Sequence, residues 1–164
     1  MIGAVILAAG ASTRYGRPKQ WELLPAVLKR LEQCRLDEVV VVEGAHSLAG
    51  SPVRVVHCAD WARGPGASLR CGLAALGEGV THAVVVLADG PELDPRAVAR
   101  VLESRAEAEV VAATYDGTRN HPVVLARSVW ATIPDEGARA LDPLLVDCSD
   151  LDPPGDVDVP RAEF

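Results

Sequence analysis

Residues 7–19 read LAAGASTRYGRPK, directly behind the apolar run MIGAVI. Leu7, Ala8, Ala9, Gly10, Ala11 and Ser12 bring little polar side chain, so their backbone N–H groups are open to an anion. Arg14 and Lys19 supply the charge to neutralise a polyphosphate. The chain has only two lysines against fourteen arginines, which makes a lysine inside a glycine loop poor surface filler. The spacing excludes two common phosphate loops. A P-loop places Lys directly after its last glycine and follows it with Ser or Thr; here Gly16 is followed by Arg17, Pro18, Lys19 and Gln20. A dinucleotide turn reads GxGxxG, whereas this chain has AAGASTRYG.

Asp89 is the second candidate. It ends the run VVVLAD and precedes Gly90-Pro91, so its carboxylate projects from a strand end. A turn-former or a helix cap would use the same residue type, but a strand end with apolar residues behind it also suits a metal ligand. Hard carboxylate oxygens suit Mg²⁺, which takes one or two of them together with substrate phosphates. A second carboxylate has to come from the tail, where residues 135–164 carry nine acids against Arg139 and Arg161. Spacing alone does not choose among those acids. Ser68, Leu69, Arg70 and Gly72 open a helix behind Gly64 and Gly66, an arrangement that lets a flat base approach the backbone. A plain N-cap or first-turn serine fits Ser68 equally well. His121 stands before a proline, which implies an extended backbone. His46, His57 and His82 lack any supporting context, and Trp21, Trp61 and Trp130 read as core or rim packing.

These residues need a scaffold that gathers strand ends. Short Val-rich runs predict strands at 2–7, 38–43, 53–57, 82–88 and 109–115, with a sixth at 122–126. Helical patterning falls at 21–34, 67–76 and 94–105, with a shorter helix at 135–141. In the first of these, Pro25 sits in the opening turns. In the third, Asp94 caps the start and Pro95 takes the first helical position. Strand and helix alternate up to about residue 115, the mark of a mostly parallel sheet covered on both faces. Residues 116–134 read as a strand-and-loop excursion and 142–164 as an irregular Asp- and Pro-rich tail. In such a sheet ligands bind beyond the C-terminal strand ends, which selects the loops after residues 7, 57 and 88.

Composition agrees. The 164 residues suit a single domain, 1–164, and 49% are hydrophobic while only 4% are aromatic, so the core is built from Val, Leu and Ala. A net charge of −7 argues against a nucleic-acid surface, and the apolar runs are too short to span a membrane. Cys34, Cys58, Cys71 and Cys148 form no CxxC pair and have no His at ligand spacing, which reads as four reduced cysteines in a cytoplasmic protein.

The string L-A-A-G-x-S-x-R-x-G-x-x-K resembles the signature of the MobA-like nucleotidyltransferases. The likeness continues in order through GPGASLRCGL (64–73), VVLADGP (85–91), NHP (120–122), PDEGAR (134–139) and DVDVP (156–160). The molybdenum cofactor cytidylyltransferase branch is the most similar. The resemblance implies a three-layer α/β/α Rossmann-like nucleotidyltransferase fold. It implies a Mg²⁺-dependent enzyme that moves a nucleoside monophosphate, CMP from CTP, onto a phosphate of a molybdopterin-type acceptor. Leu7, Ala8, Ala9, Gly10, Ser12, Arg14, Lys19, Ser68 and Gly72 would bind the nucleotide, with Arg14, Lys19 and Asp89 catalytic. Asp89 with Asp158 or Asp156 would hold the metal, and His121, Asp135 and Arg139 would meet the acceptor. The partners are then small molecules, a nucleoside triphosphate and a phosphorylated acceptor, with the oligomeric state left open. Departures gather at the acceptor end: Asn120 and Pro134 replace family glycines, Val159 replaces a threonine, and the loop after Lys19 is cut to QWELLP. A sugar-phosphate acceptor, GTP or ATP as donor, or a nucleotide-binding module without turnover are the competing readings.

Overall fold

β-Branched runs favour the pleated, doubly covered surface of a buried sheet. The computed structural model describes residues 1–10, 19–48 and 50–155, with residues 19–21 described by backbone alone. Seven strands form among them: β1 (Ile2–Ala8), β2 (Glu38–Glu43), β3 (Arg54–His57), β4 (His82–Leu87), β5 (Val110–Tyr115), β6 (Thr118–Ala126) and β7 (Leu144–Asp147). They lie in the order β3-β2-β1-β4-β6-β5-β7. Neighbours are parallel except at β6, which runs antiparallel to both β4 and β5.

The two-residue period of a strand sends alternate side chains to opposite faces. From β1, Ala4, Ile6 and Ala8 enter one layer with Val41, Val84 and Val86, covered by helices α1 (Lys19–Leu31) and α3 (Pro95–Glu103). Val5 and Ala9 enter the other with Val40, Val42 and Val85, beneath helix α2 (Pro65–Ala75), Trp130 and Ile133. The expected three-layer α/β/α architecture is thus observed. Helix α3 starts as its sequence implies: the Asp94 side chain accepts the Arg96 N–H at 2.9 Å, and Pro95 follows. Among the described residues no helix is long and apolar enough to cross a membrane.

Five local expectations change. Helix α1 begins at Lys19, so Pro25 lies inside it rather than in its opening turns. Strand β6 begins at Thr118, because Asp116 (φ 51°) and Gly117 (φ 81°) close a tight hairpin from β5; Asp-Gly is the dipeptide such turns prefer. The tail holds β7, parallel to β5, and the helix expected at 135–141 is reduced to a 3₁₀ turn at Ala138–Ala140. Finally, the reading of four reduced cysteines is corrected: Cys58 and Cys71 form a disulfide with Cα atoms 5.9 Å apart. The short turn at 61–63 folds α2 back past the end of β3, which brings together two residues thirteen apart in sequence.

Candidate active site

The chain leaves β1 toward β2 on one side and returns through β4 on the other, so the crevice opens where these two strands end. Leu7 pairs with Leu87, and the Ala88 N–H donates to the Leu7 carbonyl at 3.0 Å. The loop after β1 and Asp89 therefore emerge side by side. A cavity of about 370 Å³ opens there, lined by Ala8, Ala9, Gly10, Trp61, Ser68 and Asp89. A second, of about 400 Å³, holds Arg119, His121, Glu136 and Arg139. The two share Leu7, Pro65 and Leu87, so they are neighbouring halves of one crevice. A larger hollow of about 740 Å³ between α1 and residues 47–52 contains none of the candidate residues.

The tail also returns to this place. The Glu92 N–H donates to the Pro154 carbonyl at 2.9 Å, and Gly90 packs against Pro154. Described residues end at Gly155, one residue before Asp156 and three before Asp158. Ser12, Arg14, Asp156, Asp158 and the side chain of Lys19 lie outside the described residues. Among those described, no three His, Cys, Asp or Glu side chains gather as a metal site. One accessible carboxylate beside a phosphate-sized cavity still fits a metal completed by substrate oxygens.

Three expected contacts fall elsewhere. Gly72 faces the sheet: a Cβ there would lie 2.5 Å from Val5 Cγ1 and 2.7 Å from Val42 Cγ2. Its place is in the helix–sheet contact rather than in the cavity wall. Gly64 and Gly66 do not leave room for a base, because the 134–135 backbone already fills it. The Gly66 N–H donates to the Asp135 carbonyl at 2.9 Å, and a Cβ on Gly66 would fall 1.7 Å from the Pro134 oxygen. Asp135 lines neither cavity. Its carboxylate accepts from Arg70 Nη2 at 2.6 Å and Arg63 Nη2 at 3.2 Å, and Arg70 also donates to the Ile133 carbonyl at 2.6 Å. The Arg70 hydrogen bond, helped by Arg63, holds the Asp135 carboxyl below the usual carboxylate range. Asp135 is therefore a clasp between α2 and the loop that carries Arg139.

His121 and Arg139 do line the second cavity, His121 within the wall and Arg139 exposed at the rim. The His121–Pro122 peptide is cis. Burial pushes the His121 imidazole down to about 4; Arg119 adds to the depression and the Asp89 carboxylate opposes it. At neutral pH the imidazole is uncharged, and the Asp89 field reaching it ties the two cavities electrostatically. The unfolded chain takes up a proton near 6.5, while folded His121 resists it until about 4. Stability from this group is fully present above 6.5 and lost as pH falls through that window. A wild-type denaturation series from pH 7 to 4 should lose up to about 3 kcal/mol from this source. His121→Gln should flatten the decline by that amount, and parallel curves for the two proteins would refute it.

Arg119 and Trp61 are functional candidates that the sequence did not single out. Arg119, on β6, donates to the Ala138 carbonyl at 2.8 Å and the Leu141 carbonyl at 2.9 Å, pinning the turn that presents Arg139. Its only sequence signal is its place next to NHP. Trp130 is core, as read: it is 8% exposed and its indole N–H donates to the Leu125 carbonyl at 3.1 Å.

A model of the MobA-like NTP transferase domain matches residues 4–144. No curated protein matches the chain. Among solved structures, Rv0371c from Mycobacterium tuberculosis H37Rv is 29% identical over 97% of this chain and 94% of its own, with a TM-score of 0.76. Its complex with manganese matches at 26% identity over 89% of this chain and 88% of that one, TM-score 0.67. Mth528, a nucleotidyl transferase from Methanothermobacter thermautotroptrophicus, shares the fold at 22% identity over 84% of this chain and 78% of its own, TM-score 0.67. The matched span contains the β1 loop, Asp89, His121 and Arg139, every described residue of the double cavity: the chain belongs to the MobA-like NTP transferase domain family and is a nucleotidyltransferase.

Proposed function

We propose that the protein transfers CMP from CTP to a phosphate of a molybdopterin-type acceptor. The observation that carries this reading is the double cavity, one half holding the β1 loop and Asp89, the other holding neutral His121 and Arg139, with a shared wall between them. The first half takes the triphosphate and the second the acceptor phosphate. An acceptor phosphate oxygen attacks the α-phosphorus; the bond from that phosphorus to the β-phosphate oxygen breaks, and pyrophosphate leaves with the electron pair. The acceptor is already ionised, so no side chain has to remove a proton. The chain's work is to hold two polyanions in line and to offset their charge.

Each residue has a part in that. Ala8, Ala9 and Gly10, which line the first half, take the phosphate side of the nucleotide in this reading, together with Ser12, Arg14 and Lys19. Ser68 contacts the nucleoside. Arg139 attracts the acceptor phosphate, with Arg119 holding its turn in place. His121 offers a neutral nitrogen to an acceptor hydroxyl or amide. Asp89 and a tail acid, Asp158 or Asp156, would hold a Mg²⁺ ion; bound there, such an ion lowers the cost of charge on the phosphate oxygens. The manganese complex of Rv0371c is in keeping with a divalent ion in such a fold.

The test is pyrophosphate release with CTP, GTP, ATP and UTP, each with Mg²⁺, against molybdopterin-type and sugar-phosphate acceptors. Release with CTP and the molybdopterin-type acceptor alone is expected. Release with another triphosphate or acceptor would reassign that substrate. Tight triphosphate binding without release under any acceptor would replace the enzyme reading with a binding module.

A further inference from the structure

We propose that the indole of Trp61 is the platform on which the donor's nucleobase stacks. The inference rests on the nucleotidyl-transfer reading above and adds a residue to its nucleotide half. Trp61 opens the short 3₁₀ turn between β3 and α2. Among the described residues it is the only aromatic one lining the Asp89 cavity. Ala9, Gly10 and Ala62 line the same cavity beside it and carry one side-chain carbon or none.

The side chain is partly buried and packs against the α2-side core. A Cβ on Gly44 would lie 2.5 Å from both Cβ and Cγ of Trp61 and 2.8 Å from the Ala9 carbonyl oxygen. Gly44 thus makes room for the indole to seat beside the β1 loop. An aromatic ring that must be ordered before it can stack costs entropy on binding, and one already wedged against backbone avoids that cost.

Position decides which part of a nucleotide meets it. Gly44 follows β2 and Asp89 follows β4, with β1 between them. Two strand spacings separate the Trp61 end from the Asp89 end, about 10 Å. That is the span of a nucleoside monophosphate, so phosphates held at the β1 loop and Asp89 leave the base at Trp61. Ser68, only 3% exposed, sits in the same wall to contact the nucleoside. Stacking alone is tolerant of base identity, because every base has a π-face. The platform therefore gives affinity to all four triphosphates.

Calorimetric titration of the full chain with each of the four triphosphates and with inorganic tripolyphosphate, all with Mg²⁺, tests this. Trp61→Leu should weaken every triphosphate roughly tenfold or more and leave tripolyphosphate unchanged. Trp61→Phe should recover most of the loss. In wild type, triphosphate but not tripolyphosphate should quench indole fluorescence, and in Trp61→Phe that quenching should vanish while binding persists. This second readout stands even if the leucine variant does not fold. Unchanged triphosphate affinity in folded Trp61→Leu, an equal loss for tripolyphosphate, or persistent quenching in Trp61→Phe each overturns the stacking role. A wild-type protein that binds no triphosphate overturns the nucleotidyl-transfer reading as well.

Discussion

Asp89→Asn is expected to lower kcat for pyrophosphate release by roughly 10²–10³-fold while the protein folds as before. Asparagine keeps the size and one oxygen of the side chain, removes the charge and turns the other acceptor into an N–H donor. The backbone that aims it is held independently, by the Ala88 N–H on the Leu7 carbonyl and the Gly90 N–H on the Leu87 carbonyl at 3.2 Å. Melting temperature should therefore hardly move. The loss should appear in kcat more than in KM, since charge on the α-phosphate oxygens grows as the reaction proceeds. Raising Mg²⁺ or substituting Mn²⁺ should return part of the activity if the carboxylate acts by holding the ion. Steady-state kinetics over a metal titration decides it: a kcat within twofold of wild type at saturating Mg²⁺ would remove Asp89 from the reaction.

The parts of this site that the sequence made legible are those where local chemistry and position coincide. Asp89 was readable because a carboxylate at the end of a valine-rich strand stands at the mouth of the crevice, where it lines the cavity. Ala8, Ala9 and Gly10, the start of the stretch read as a phosphate loop, line the cavity beside Asp89, and the rest of that stretch lies outside the described residues. What the sequence hid depends on long-range contact. Strand β7 shows only LLVD, and it becomes a strand because β5 offers an edge to pair with. The disulfide needs the fold to bring Cys58 and Cys71 together. Trp61 carries no local mark of its double position, packed against the α2-side core and also lining the cavity; Gly44, seventeen residues earlier in the chain, leaves the space its Cβ and Cγ occupy. Asp135 shows the same limit from the other side. A motif resemblance assigns it to the acceptor, whereas two arginines from the 61–75 segment occupy its oxygens.

That last contact separates two readings of Gly66, in the first turn of α2. If Gly66 exists to admit a base, a methyl group there should weaken nucleotide binding and little else. The structure places the Pro134 carbonyl oxygen 1.7 Å from where that methyl would sit, with the Asp135 carbonyl carbon at 2.9 Å. Both obstacles are backbone, so no rotamer change relieves the clash. Either α2 lifts from the 134–135 loop or the loop moves outward, and in both cases the Gly66 N–H to Asp135 carbonyl bond is lost. Gly66→Ala should then cost near the upper end of the ~1–3 kcal/mol typical of overpacking. For a domain of this size that lowers Tm by roughly 6–12 °C. Because Pro65 belongs to both cavities, the displacement should raise KM for nucleotide and for acceptor together. Asp135→Asn is the control. It weakens partly exposed ion pairs but keeps the backbone bond, so its effect on Tm should be much smaller. A Gly66→Ala protein with wild-type Tm and a raised KM for nucleotide alone would return Gly66 to the base-binding role that its sequence context implies.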